Sequence, residues 1–299
     1  SLRPRVLSRR RAQTGWCVGP AHLIKPIQLL LPFVQFCVAT PMQQARPGAL
    51  GQPVPMGAHP GDAEVAGGTI TLGSRQDSVF IFDNEKWAHE VAVEPFQIAK
   101  APVTNSEFLA FVDDGGYRDE RFWDSKGWEW RESENAECPV YWRRGEDGGC
   151  WTRAFDTDVP LPPNQPVSHV NWHEATAWCR WAGRRLPSEI EWETAASYGP
   201  EAGELLFEAP KSRFPWGKAI GFSTPANLDG SHTGLVDVAA YPDGDSAFGC
   251  RQMIGNVWEW TTSDFVPFPG FSVDPYDDYS KPWFGTRKVL RGGAWATRG

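Results

Sequence analysis

Apolar and polar positions follow three different periods along this chain. Residues 67–73, 79–82 and 89–93 are short runs that read as three strand candidates. Asp83-Asn84-Glu85, between the second and third runs, is turn chemistry. Thr104-Asn105-Ser106-Glu107 has the spacing of a capping box, and Phe108, Leu109, Phe111 and Val112 follow it. A helix over 105–113 is expected there. Asn171 with Glu174, and Ser188 with Glu191, repeat the cap pattern and predict helices over 172–182 and from 189 to about 197. Gly183 and Gly199-Pro200 are their stops. Residues 117–165 show no clean period. Their aromatics, among them Tyr117, Trp123 and Trp142, need a packed setting, so a structured insertion is expected.

Toward the C-terminus, residues 235–238 read as a strand, and two further stretches stand out. In Gly255-Asn256-Val257-Trp258-Glu259-Trp260 a tight-turn pair leads into period-two alternation, with one carboxylate between two large aromatics. In Val289-Leu290-Arg291-Gly292-Gly293-Ala294-Trp295 an apolar strand ends on an arginine and two glycines, which permit positive φ or close backbone approach. The two stretches are expected to pair in one small sheet. A carboxylate held between tryptophans needs a cation or donors, and Arg291 is one partner for Glu259. Two unrelated surface strands are the plainer alternative.

Composition adjusts this picture. The 299 residues include 16 Trp, 30 Gly and 26 Pro, which suits a loop-rich fold filled by large side chains. A net charge of −8 argues against nucleic acid or an anionic membrane as a partner. The six cysteines have no Cys-x-x-Cys spacing, so reduced thiols are favoured over disulfides or a zinc site. Residues 1–45 begin with a basic run and carry an apolar run broken by Pro32. They read as a remnant of an upstream region or a non-native start, with a signal peptide as the alternative. Residues 46–66, rich in Pro, Gly and Ala, read as a linker, leaving 67–299 as the domain. His169 and His173 are four apart, a spacing that binds metal on a helix, but the cap at Asn171 places His169 before the helix. A structural role is the alternative.

The Gly-Asn-Val-Trp-Glu-Trp and Arg-Gly-Gly-Ala-Trp stretches resemble the formylglycine-generating-enzyme/sulfatase-modifying-factor domain. Pro102-Val103-Thr104-Asn105, residues 166–172 and residues 185–193 match it too. The resemblance covers about residues 65–299 and implies an α+β, C-type-lectin-like, loop-rich fold with a small antiparallel sheet and short helices, truncated at its C-terminus. Phe82-Asp83-Asn84-Glu85, Tyr276-Asp277-Asp278-Tyr279-Ser280 and Trp283-Phe284-Gly285 resemble the ergothioneine sulfoxide synthases and their selenoneine-forming relatives. That branch implies an Fe(II)- and oxygen-dependent enzyme acting on hercynine, with cysteine, γ-glutamylcysteine or a selenium donor, in the cytoplasm. Its iron is held by histidines of an N-terminal helical bundle, a pattern that residues 1–66 lack, so no iron ligand and no activity are expected of this chain alone.

The same resemblance implies roles for individual residues. Tyr276 matches a tyrosine that supplies a proton to reduced oxygen, and an aromatic packed under a loop is the alternative. The phenylalanines before Tyr276, with Trp283 and Phe284 after it, are expected to wall it from water and form part of the substrate site. The formylglycine-generating relatives imply calcium on Gln252, the Gly255 and Val257 carbonyls and Glu259, in competition with the Arg291 pair. Formylglycine formation is disfavoured, because no cysteine follows Cys250. A non-catalytic lectin-like module is the reading from another class.

Overall fold

A computed structural model describes residues 57–78, 81–199, 211–217, 225–276 and 278–298. Its regular structure is sparse. Among the described residues, four small antiparallel sheets and four α-helices are joined by long ordered loops and short 3-10 turns. Strand β1 (Asp62–Val65) pairs with β4 (Phe96–Ala99), and β2 (Gly68–Leu72) pairs with β3 (His89–Val93). The linker reading of 46–66 therefore needs correction: Ala63 and Val65 are buried on β1, and the ordered domain already includes that strand. Residues 1–56, and with them most of the expected remnant and linker, lie outside the described residues.

Helices α1 (Asn105–Asp113), α3 (Trp172–Trp181) and α4 (Glu189–Ser197) begin where the cap patterns place them. Thr104, Asn171 and Ser188 each accept from the backbone N–H three residues on, while the glutamate there accepts from the cap N–H. Between α1 and α3 lies α2 (Ser125–Ser133), followed by a three-stranded sheet of β5 (Trp142–Arg144), β6 (Cys150–Ala154) and β7 (Thr157–Pro160). Phe108, Phe111, Tyr117, Trp123, Trp142 and Trp178 bury themselves in one aromatic core there, as expected of an insertion that must hide its rings. The strand expected over 235–238 is absent: Val236 spends its N–H and carbonyl on the Asn256 side chain instead. Ile81 and Phe82 are irregular, and the other half of that expected strand lies outside the described residues.

Strands β8 (Glu259–Asp264) and β9 (Lys288–Arg291) pair antiparallel with Glu259 opposite Arg291, so the two signature stretches are partners. Their turns interlock as well. The Gly255 N–H donates to the Gly292 carbonyl, and the Trp295 N–H donates to the Asn256 carbonyl. Gly292 has φ +103°, and a Cβ there would sit 3.0 Å from the Met253 carbonyl, so the close approach needs glycine.

Candidate active site

Arg291 sits at the centre of the domain, 1% exposed, and its guanidinium meets three carboxylates. Nη1 lies 3.3 Å from Glu85 and 3.4 Å from Glu189, while Nη2 donates to Glu193. Glu189 and Glu193 are four apart on α4 and so share a face. Glu191, off that face, pairs with Arg185 at the surface. Lys211 reaches Glu193 at 2.5 Å from the other side. Burial pushes the Glu193 carboxyl up, but Lys211 and Arg291 outweigh it and hold it below the usual range. Burial alone would lower Arg291; Glu193, Glu85 and Glu189 reverse that and raise it.

The expected Glu259–Arg291 ion pair is therefore corrected. The backbones are in register, but Trp192 stands between the two groups: Arg291 lies over its ring at 5.3 Å, and its Nε1–H donates to Glu259 at 2.9 Å. Among the described residues Glu259 has no cation partner, and burial pushes its carboxyl up to about 7. It lines a cleft of about 810 Å³ together with Trp258, Trp260, His169 and Trp295.

The turn before β8 has the candidate calcium ligands engaged with protein groups. The Gln252 amide donates to the Asp237 and Ala240 carbonyls, and its oxygen accepts from Asn256 at 2.6 Å. The Gly255 carbonyl accepts the Val257 N–H at 2.8 Å. Asn256, fully buried, ties this turn to Asn227 and Val236. His169 packs edge-on against Tyr141, whereas His173 faces Asp124 at 3.3 Å. No group of three or more His, Cys, Asp or Glu among the described residues is placed to hold a metal.

Tyr276, Trp283 and Phe284 share one loop between β8 and β9, outside the cleft lining. The apolar enclosure expected around Tyr276 does not form among the described residues, where Tyr276 is 66% exposed. The aromatics meant to wall it pack on one another instead. Phe284 lies 4.9 Å from Phe265 and 5.1 Å from Phe271, and Phe268 meets His89. The Trp283 Nε1–H donates to the Asp278 carbonyl, and Arg287 covers its ring. The loop is held from the segment before β3: Phe82 stacks on Tyr279, Ser280 donates to Asp83, and Lys86 pairs with Asp274. Asp277 lies outside the described residues.

With this geometry in view, comparison with known proteins decides the family. The sulfatase-modifying factor enzyme 1-like domain matches residues 50–298. The chain belongs to that family. Within it, the chain is 46% identical over 215 residues to the hercynine oxygenase of Mycobacterium tuberculosis, covering 72% of this chain and 48% of that protein. It is 41% identical over 262 residues to the hercynine oxygenase of Mycolicibacterium smegmatis, covering 86% and 57%. The formylglycine-generating enzyme of Streptomyces coelicolor is 31% identical over 280 residues, covering 86% and 84%. The chain spans about half the length of the curated hercynine oxygenases it matches. Among the described residues no helix is long and apolar enough to cross a membrane, and Cys138, Cys150, Cys179 and Cys250 are free thiols. Glu85, Glu189 and Glu193 escaped the sequence reading as partners of Arg291. The signal was there: two acids four apart, flanking Trp192 on a helix that must be buried.

Proposed function

We propose that this sulfatase-modifying-factor domain is the C-terminal part of an Fe(II)- and oxygen-dependent sulfoxide synthase that joins sulfur to hercynine in ergothioneine biosynthesis, in the cytoplasm. The supporting observation is its 41–46% identity to proteins named hercynine oxygenase, against 31% to a formylglycine-generating enzyme. Iron would supply oxygen activation from ligands outside the residues described here. Tyr276 supplies a proton as oxygen is reduced, its phenol O–H being a hydrogen-bond donor. Its exposure on this chain fits a group presented to reactants rather than one spent on packing. Trp283 and Phe284 border the substrate on the same loop. The sulfur donor is cysteine or γ-glutamylcysteine. A selenium donor, giving selenoneine, is the variant reading suggested by residues 274–288.

Removing one hydroxyl by Tyr276→Phe tests the reading in the full-length enzyme. Folding and substrate affinity should be spared while C–S bond formation slows and oxygen is diverted to oxidising the thiol. An unchanged rate and product ratio would make Tyr276 a surface aromatic only. Competing thiol and selenium donors in one reaction would identify the donor atom. Calcium at Gln252, Gly255, Val257 and Glu259 is the second proposal. An ion there would have to displace Asn256 from the Gln252 oxygen and the Val257 N–H from Gly255.

A further inference from the structure

Tyr276 is too exposed for its own packing to fix its direction, so its position is set by the backbone that carries it. That backbone is pinned on both sides. Before Tyr276, Asp274 pairs with Lys86. After it, the Tyr279 N–H closes a turn onto the Tyr276 carbonyl at 3.2 Å, and the Tyr279 ring stacks on Phe82 at 5.5 Å and 10°. The next residue, Ser280, is fully buried and donates its hydroxyl to Asp83, also fully buried. All three anchors come from one five-residue segment, 82–86, and that segment is itself bolted to the core through Glu85 and Arg291.

The Asp83–Ser280 contact has a specific chemistry. Asp83 Oδ2 has no hydrogen-bond partner among the described residues, and Oδ1 takes the Ser280 hydroxyl. A buried carboxyl group with a single side-chain partner makes that partner hard to lose, because its removal leaves a buried polar group unsatisfied. The loop is therefore held in one place by a hydrogen-bonding demand as well as by apolar fit.

We propose that Asp83 and Ser280 form the positioning clasp of the Tyr276 loop, with Ser280 acting on the reaction through Tyr276 and not by touching substrate. This rests on the reading of Tyr276 given above. The test compares Ser280→Ala, Tyr276→Phe and the double variant in the full-length, iron-loaded enzyme, with rates expressed per folded protein. Ser280→Ala should lower kcat by about 10–100-fold, the scale of an ångström misplacement, with a smaller change in KM, since Trp283 and Phe284 ride on the same loop. The double variant should be no slower than Tyr276→Phe alone, because a mispositioned loop has nothing left to misplace. Ser280→Cys, which keeps a weak donor of similar shape, should fall between wild type and Ser280→Ala. If Ser280→Ala does not fold, Phe82→Leu, which removes the stack under Tyr279, takes its place in the same cycle.

Multiplying effects in the double variant, or an unchanged kcat in Ser280→Ala, would overturn the clasp while leaving the role of Tyr276 standing. A Tyr276→Phe enzyme of wild-type rate would overturn both.

Discussion

Arg291→Met should be among the most destabilising single changes in this domain, and the loss should depend on pH. The arginine is 1% exposed and neutralises Glu85, Glu189 and Glu193 together. Methionine keeps much of the volume but removes the guanidinium that Glu85, Glu189 and Glu193 share, while Lys211 stays on Glu193. Breaking a buried pair by removing one partner costs about 3–5 kcal/mol. The lost contact with the Trp192 face adds about 1 kcal/mol. A domain of this kind has about 5–15 kcal/mol in total. In the wild type Glu193 titrates below its ordinary value, so its contribution is present above the unfolded pKa and fades as acid is added. Without Arg291 the burial of Glu193 is less opposed and its folded pKa rises. Protonation then relieves the variant, and the gap between the two proteins should narrow from pH 8 to pH 5. Urea unfolding followed by tryptophan fluorescence at both pH values measures this. A loss below about 1 kcal/mol, well short of the buried-pair range, or a gap independent of pH, would refute the electrostatic account. Arg291→Lys keeps the charge without the fork and should lie between the two.

Other expectations follow from single contacts. Trp192→Phe removes the N–H donor of Glu259 from a buried site and should cost about 1–3 kcal/mol by chemical denaturation. Glu259 titrates at about 7 when folded, so it favours folding below its unfolded pKa and loses that contribution as pH rises through 7. Glu259→Gln, neutral throughout, should therefore gain on wild type between pH 6 and pH 8 in thermal scans, and a growing deficit would contradict it. Ser188→Ala should lose about 1 kcal/mol through the α4 cap, read as a lowered urea midpoint. If calcium sits on Gln252, Gly255, Val257 and Glu259 as proposed, EDTA should lower the melting temperature and added calcium raise it, and no change with either would count against the ion site.

Local chemistry made part of this molecule legible. Each capping box is a contract among four consecutive residues, so the starts of α1, α3 and α4 could be read directly. The pairing of β8 with β9 was legible because each stretch joins a turn to an apolar strand. Elements without local signals were missed. Strand β1 is four residues in a Pro/Gly-rich stretch, and its identity comes from pairing with β4, more than thirty residues away. Helix α2 reads Ser-Lys-Gly-Trp-Glu-Trp-Arg-Glu-Ser, with apolar positions two apart, and is started by the Asp124 cap. The Arg291 partners were missed for a related reason. Glu259 lies opposite in register, but a tryptophan from a third element takes the space between them.

The central arginine also sets a schedule for biosynthesis. Arg291 leaves the ribosome 206 positions after Glu85 and 98 after Glu193. At about 5–20 residues per second, the first of these acids waits roughly 10–40 s for its counter-ion. Until then α4 carries two carboxylates on the face that must enter the interior, with Lys211 reaching one of them, and burying them without Arg291 is uphill. The N-terminal strands and helices can collapse meanwhile, but the centre cannot dry out. Closure around this centre is thus deferred to β9, and a nascent chain stalled before Arg291 should be a good client for chaperones.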